Sequence, residues 1–546
     1  MSRKIHRRIR MTGELQPLEK QKMKRLTHLA AFALILLFAL ALRLPRLAQR
    51  PMHTDEAVHA IKFGQLLQEQ YYEYDPIEYH GPTLVYSTLV SAWLKGQKTL
   101  AEVNEGTLRS IPVFFGIALI IILLCLVKYL NWSIILFAAL FTTISPAFVF
   151  YSRYYIMEIM LVFFTLAAII AGYACLQTKK LAWAIAAGAA VGLMHATKET
   201  CALAWFAMAA ATLLTMRTAG IKLKGSIKRV PWAHVGCALV IAFMISASLF
   251  SSFFTQLHGI LDSITTYANY FKRGAGQHSA HLYPWFQYFQ WLFLNKFSRP
   301  LWSEAMILLL AAPGFYAIFS EKQMPRADKR LLWFIAHYTL VLTLIYMVIP
   351  YKTPWSMLGF YHGYIIIAAV GATSLCTWTR FKSLRIILSL LLAAGATHLG
   401  WQSYQLNFKY DADLSNPYVY AHTDADFFRL LDAIEQITST WPQGKNTYIE
   451  VVCPEGDYWP LPWYLRAYSQ VGYFNAFNYD LPAGALIITK PILESDLLKK
   501  LYEIPPPGQR YMYIPHFQRG VRLRCGVEMD LYVRKDVWDE WYRQRP

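Results

Sequence analysis

Charge is scarce in this chain. Asp, Glu, Lys and Arg make up 16% of its 546 residues, against roughly 25% in a soluble domain. Hydrophobic residues make up 55% and mean hydropathy is +0.28, so an ordinary soluble globule is excluded and an integral membrane protein is indicated. Acids are fewer than bases, 34 against 53. In a soluble protein the resulting charge of +19 would point to nucleic acid. In a membrane protein the placement of the bases matters more than their sum, and no nucleic-acid partner is expected. Other absences narrow the chemistry. There is no Walker-type phosphate loop, no GxGxxG opening a helix and no hydrolase elbow, which argues against nucleotide hydrolysis, dinucleotide chemistry and serine hydrolysis. Cysteine is sparse as well. Cys125, Cys175, Cys201, Cys237 and Cys376 fall on predicted helices without metal-ligand spacing, and only Cys453 and Cys525 lie in the tail. A disulfide between those two and a pair of buried free thiols both remain open.

Long apolar runs are abundant. Runs of membrane-spanning length lie near 28–44, 108–130, 132–151, 156–176, 181–195, 202–216, 232–253, 305–319, 331–349, 356–377 and 384–399. The first follows a Lys- and Arg-rich tail, residues 1–27, which is expected to stay cytoplasmic; no small-residue cleavage site follows, so no cleavable signal peptide is expected. Counting crossings from there, the basic turns Lys179-Lys180, 217–229, 322–330 and 380–385 all fall inside, so hydropathy and charge give one topology. The expected fold is a polytopic α-helical membrane protein of about 11 transmembrane helices, in a plasma or inner membrane, with an extracytoplasmic α/β domain at its C-terminal end. The membrane domain covers 28–400, with outer loops 46–107 and 255–304, and the α/β domain covers 401–546. Within the first loop, "PTLVYSTLVSAWLK" is too short to span and reads as an interfacial helix. In the tail, "TYIEVVC", "ALIIT" and "YMYIP" read as strands, and "SDLLKKLYE" and "DVWDEWYRQR" as helices.

The chemistry should lie at the outer face. The first outer loop carries eight acids against five Lys or Arg, beginning with Asp55 and Glu56. Arg43, Arg153, Glu158, Lys198, Glu199 and Lys352 fall at or just inside the same face. A charge toward the bilayer core is costly, so such residues face a cavity or a partner, or snorkel to the headgroups. Carboxylates on one side and cations on the other suit a substrate that carries a phosphate and a hydroxyl that must lose its proton. Lys198 and Lys352 suit the phosphate, because a compact ammonium matches a tetrahedral oxyanion and neither has an obvious helical partner. Asp55 has a capping alternative, since Thr54-Asp55 precedes a helix. His80 next to Tyr79 suits phosphate binding or proton relay, or a plain loop hydrogen bond, and Glu158 suits either a second acid or a partner for Arg153.

Several stretches resemble the GT-C glycosyltransferases of the protein-mannosyltransferase and aminoarabinose-transferase (ArnT-like) type. They are "LRLPRLAQRPMHTDEAVHAIKFGQ", "YHGPTLVY" in the place of a His- or Lys-Pro-Pro-Leu stretch, "LRSIPVFFGIALII", "SPAFVFYSRYYIMEIMLVFF", "HATKET" and "PYKTPW". With "DYWPLPWYLR", they resemble more narrowly the bacterial and archaeal proteins described as flippase-activity-associated. The resemblance covers most of the membrane part. It implies sugar transfer from a polyprenyl-phosphate donor in the bilayer to an acceptor of unspecified kind. Asp55 would be the catalytic carboxylate, and Glu56 would orient the loop or help bind a metal. Tyr79, His80, Arg153, Lys198 and Lys352 would bind substrate, and Asp55 and Glu158 would be the candidate ligands of a divalent cation, Mg or Mn. Glu158 stands where that pattern usually has Asp, and Gly81 replaces the first Pro of a Pro-Pro pair. Rival readings are a transporter or flippase of lipid-linked sugars without transferase activity, a membrane scaffold, and a zinc peptidase through Asp55, Glu56 and His59. The last lacks the first His of H-E-x-x-H and a third ligand.

Overall fold

The structure is a computed structural model that describes residues 17–77, 80–222, 225, 230–274, 281–293, 301–320 and 327–544. Among these, eight helices are long and apolar enough to cross a membrane: Gln21–Arg43, Glu105–Leu126, Glu158–Thr178, Cys201–Thr218, Trp232–Phe250, Lys329–Val348, Pro354–Trp378 and Lys382–Phe408. Shorter apolar helices at Leu181–His195 and Ala305–Phe319 fill two more of the expected runs. Pro354–Trp378 is the central helix, with 89% of its apolar window buried, whereas Trp232–Phe250 and Lys382–Phe408 are peripheral at 11% each.

The run 132–151 is not the single straight helix that its hydropathy implies. It breaks into Trp132–Ile144 and Pro146–Ser152, bent by 63°. Pro146 takes the first position of the second piece, where its missing N–H costs nothing, and the Ser145 hydroxyl caps that turn by accepting from Phe148 N–H at 3.4 Å. Glu304, buried, pins the break. Its carboxylate accepts from Ser145 Oγ at 2.6 Å, Ala147 N–H at 2.8 Å and Tyr361 Oη at 2.7 Å. The helix bounds differ at two other places. The first helix begins at Pro17, inside the basic tail, and the last reaches Phe408.

Beyond Phe408 the chain folds as an α/β domain. Its strands are β1 (Ile449–Val452), β2 (Val471–Phe474), β3 (Leu486–Thr489), β4 (Tyr513–Pro515), β5 (Val521–Arg524) and β6 (Val527–Arg534). The sheet runs β2-β1-β3-β6-β4, with β5 paired to β6. β1 is parallel to β2 and β3, and the β6 pairings are antiparallel. Helices Phe427–Thr440 and Lys535–Arg543 bury Leu430, Ile434, Ile437, Val537 and Trp541 with β1, β3, β5 and β6 in one core. Cys453 is buried and Cys525 exposed, and both are free thiols, which removes the disulfide.

The stretch that reads "PLPWYLR" docks this domain on the first outer loop. Trp463 Nε1 donates to Glu105 at 2.7 Å, and Arg466 donates to the Leu100 and Val103 carbonyls at 3.1 and 2.6 Å. The expected interfacial segment forms the helix Thr83–Leu94, with Val90, Trp93 and Leu94 exposed.

Candidate active site

Asp55 and Glu56 open the helix Thr54–Glu69 and play opposite parts. His53, not Asp55, is the cap: its Nε2–H meets the Tyr420 carbonyl at 3.0 Å, which leaves Nδ1 to accept the Asp55 N–H at 3.0 Å. Glu56 reaches back to the His53 N–H at 3.1 Å, completing a capping box. The capping alternative for Asp55 is therefore removed. The Asp55 side chain is 45% exposed and lies 3.8 Å from His53 Nδ1. Among the described residues its carboxylate accepts no hydrogen bond.

Glu56 is fully buried and saturated. Arg109 meets it with two bonds of 2.7 Å, Arg50 adds one at 3.4 Å, and Tyr155 N–H donates at 2.8 Å. Burial alone would raise this carboxyl, but Arg109 and Arg50 outweigh it and hold it at about 2. The arrangement suits positioning and leaves no oxygen free for substrate or metal. The loop is closed from the C-terminal side as well: Met52 N–H donates to Tyr464 Oη at 2.8 Å, and Thr423 Oγ1 donates to the Met52 carbonyl at 2.6 Å. Asp55 thus projects from a helix start fixed on every other side.

The second group lies across from it. Gly81 lets the chain pass against the turn after Leu181–His195, where an added Cβ would stand 2.2 Å from the Ala196 carbonyl oxygen. That oxygen accepts from Thr83 N–H at 3.0 Å and Thr83 Oγ1 at 2.7 Å. This close pass accounts for the departure from Pro-Pro and sets His80 beside Glu199. His80 Nδ1 lies 2.8 Å from Glu199 and 2.6 Å from Tyr270 Oη. Tyr79 lies outside the described residues. Glu199 is buried and also accepts from Tyr74 Oη at 3.2 Å.

Lys198 pairs with Glu158, both nearly buried. Burial opposes the Lys198 ammonium, yet Glu158 outweighs it and keeps the pKa raised. Among the described residues the second Glu158 oxygen, buried, has no hydrogen-bond partner. This pair lines a small cavity of about 30 Å³, whose walls include Leu161, Val162, Ala204, Tyr338, Leu342 and Leu358. His59, buried, links the two halves of the site. Burial holds its imidazole down at about 3, and His80, Asp55, Lys198 and Glu199 all act on it electrostatically. It stands at i+4 from Asp55 on one face of the helix Thr54–Glu69, a spacing that the sequence itself carries.

Two expected substrate contacts are engaged elsewhere. Lys352 donates to the Tyr346 and Met347 carbonyls at 3.1 Å each, and to that of Ile349. It closes the C-terminal end of Lys329–Val348, whose carbonyls attract a cation, and no ammonium proton remains for a phosphate. Arg153 donates to the Arg43 and Pro45 carbonyls at 2.9 and 2.7 Å and stacks 4.5 Å over Phe408. It closes the end of the first helix and is not the partner of Glu158. Among the described residues no three His, Cys, Asp or Glu side chains converge as metal ligands. Of the two candidate ligands, Glu158 is paired with Lys198, and Asp55 is half-exposed.

Residues 33–258 match the family described as dolichyl-phosphate-mannose-protein mannosyltransferase. No curated protein sequence matches the chain. Among solved structures, ArnT from Cupriavidus metallidurans bound to undecaprenyl phosphate superposes with a TM-score of 0.60 at 13% identity, over 91% of this chain and 97% of that one. The oligosaccharyltransferase AglB from Archaeoglobus fulgidus, in complex with an inhibitory peptide and a dolichol-phosphate, gives 0.54 at 12% identity, over 91% and 74%. The chain is therefore a multi-pass membrane protein that shares the fold of these transferase structures, and its residues 33–258 resemble the mannosyltransferase family.

Proposed function

We propose that the protein transfers a sugar from a polyprenyl-phosphate donor to an acceptor at the extracytoplasmic face. The observation that carries this reading is the Asp55 carboxylate, half-exposed and without a hydrogen-bond donor among the described residues, together with the Lys198 ammonium in the lining of a small, largely apolar cavity. In the reaction the acceptor oxygen bonds to the anomeric carbon as the carbon–oxygen bond to the phosphate breaks. Asp55 takes the acceptor proton. The Lys198 ammonium stabilises the charge that develops on the departing polyprenyl phosphate, taking the phosphate in place of Glu158. His80, fixed by Glu199 and Tyr270, is available for proton relay.

The test is release of free polyprenyl phosphate from a labelled donor by purified protein in liposomes supplied with candidate acceptors. Release by the parent and at least about 100-fold less by Asp55→Asn, with folded protein undiminished, supports the reading. Movement of intact donor across the bilayer without cleavage would replace it with the transporter.

A further inference from the structure

The segment after Trp232–Phe250, which hydropathy leaves as a loop, forms the helix His258–Gly274. Its sides are inverted relative to a helix on a soluble surface. The face turned to the protein is small and polar. An added Cβ on Gly259 would stand 2.1 Å from the Phe250 carbonyl oxygen, Thr266 and Asn269 donate to the Pro76 carbonyl at 2.9 and 3.3 Å, and Tyr270 bonds His80. The face turned away is apolar: Leu261, Ile264 and Phe271 are 64%, 61% and 81% exposed, at the spacing of one helical stripe.

An apolar stripe of this size is unfavourable in water. It continues through Leu257, Phe254 and Phe253 onto the exposed Phe243, Val240 and Leu239 of the preceding membrane helix. The helix starts eight residues past Phe250, which puts it at the height where that span leaves the hydrocarbon. Lys272, exposed at its far end, suits lipid phosphate. We infer that His258–Gly274 lies on the outer leaflet with Leu261, Ile264 and Phe271 seated in the acyl region, so that the bilayer itself is the partner that holds the polar face, and Tyr270, against the site. Continuity with the lipid-facing surface is what selects lipid over a second copy of the chain.

The inference is independent of the transfer reaction, and so is its test. The photoreactive amino acid p-benzoylphenylalanine is placed singly at 264, at 271, at 243 on the membrane helix and at 263, where Ser263 is buried. The full-length protein is irradiated in vesicles of phosphatidylethanolamine and phosphatidylglycerol. Phospholipid adducts at 264 and 271, matching those at 243, with only intrachain adducts at 263, are expected. Adducts between two protein copies at 264 and 271, or a lack of lipid adducts there while 243 labels, overturns the inference.

Discussion

The separation of roles between two neighbouring acids is the sharpest consequence of the geometry. Glu56→Gln keeps the shape of the side chain but leaves Arg50 and Arg109 buried without a counter-charge, and turns an amide N–H₂ toward groups that are themselves donors. Removing one partner of a buried pair costs about 3–5 kcal/mol. The fall of the Glu56 carboxyl from 4.5 to about 2 corresponds to about 3 kcal/mol by linkage, an order-of-magnitude agreement. Since this folded-state value lies below the unfolded one, the contribution is complete above pH 4.5 and is lost as the pH falls toward 2. At neutral pH the first outer loop should open about 100-fold more often in Glu56→Gln. Proteolysis of the folded protein in liposomes measures this as the rate of cleavage around 46–57. Asp55→Asn should leave that rate unchanged while abolishing turnover. Equal protease resistance in Glu56→Gln and the parent would refute the positioning role, and loss of resistance in Asp55→Asn would refute the catalytic one.

Other outcomes follow from single contacts. Lys198→Met should slow release of polyprenyl phosphate more than it weakens donor binding, because stabilisation of the leaving group grows toward the transition state; equal losses in both would assign Lys198 to binding alone. Lys352→Met should instead lower thermal stability by about 1–3 kcal/mol with turnover per folded molecule retained, and a selective loss of turnover would return Lys352 to the phosphate site. Tyr464→Phe strands the Met52 N–H and should raise cleavage of the first outer loop about 5- to 100-fold, with no change refuting the clamp. A reporter fused after Pro546 should behave as extracytoplasmic; a cytoplasmic signal would invert the assigned sidedness.

Hydropathy and basic turns made the helices legible because both act over whole segments. The break at Ser145 was half legible: Ser-Pro is a helix start, but Glu304, the residue that pins it, lies 159 positions away. The same limit applies to the site. Asp55 is a candidate by its place after the first span, and Lys198 by its charge at membrane depth. Lys352 and Arg153 carried the same signal, yet their charges are spent on the ends of neighbouring helices, an arrangement that depends on packing and leaves no local mark. The inverted helix His258–Gly274 was missed because its apolar stripe is too narrow to register as a span.

The clamp on Met52 also imposes an order on biosynthesis. Its two peptide groups are held by Thr423 and Tyr464, 371 and 412 positions further along the chain. While the membrane helices are being threaded one after another, Asp55 therefore hangs on an unfinished hinge. The acid becomes aligned only when the C-terminal domain has folded against the loop. A chain stalled anywhere before that point holds its membrane helices but lacks the two contacts that fix the start of the Asp55 helix.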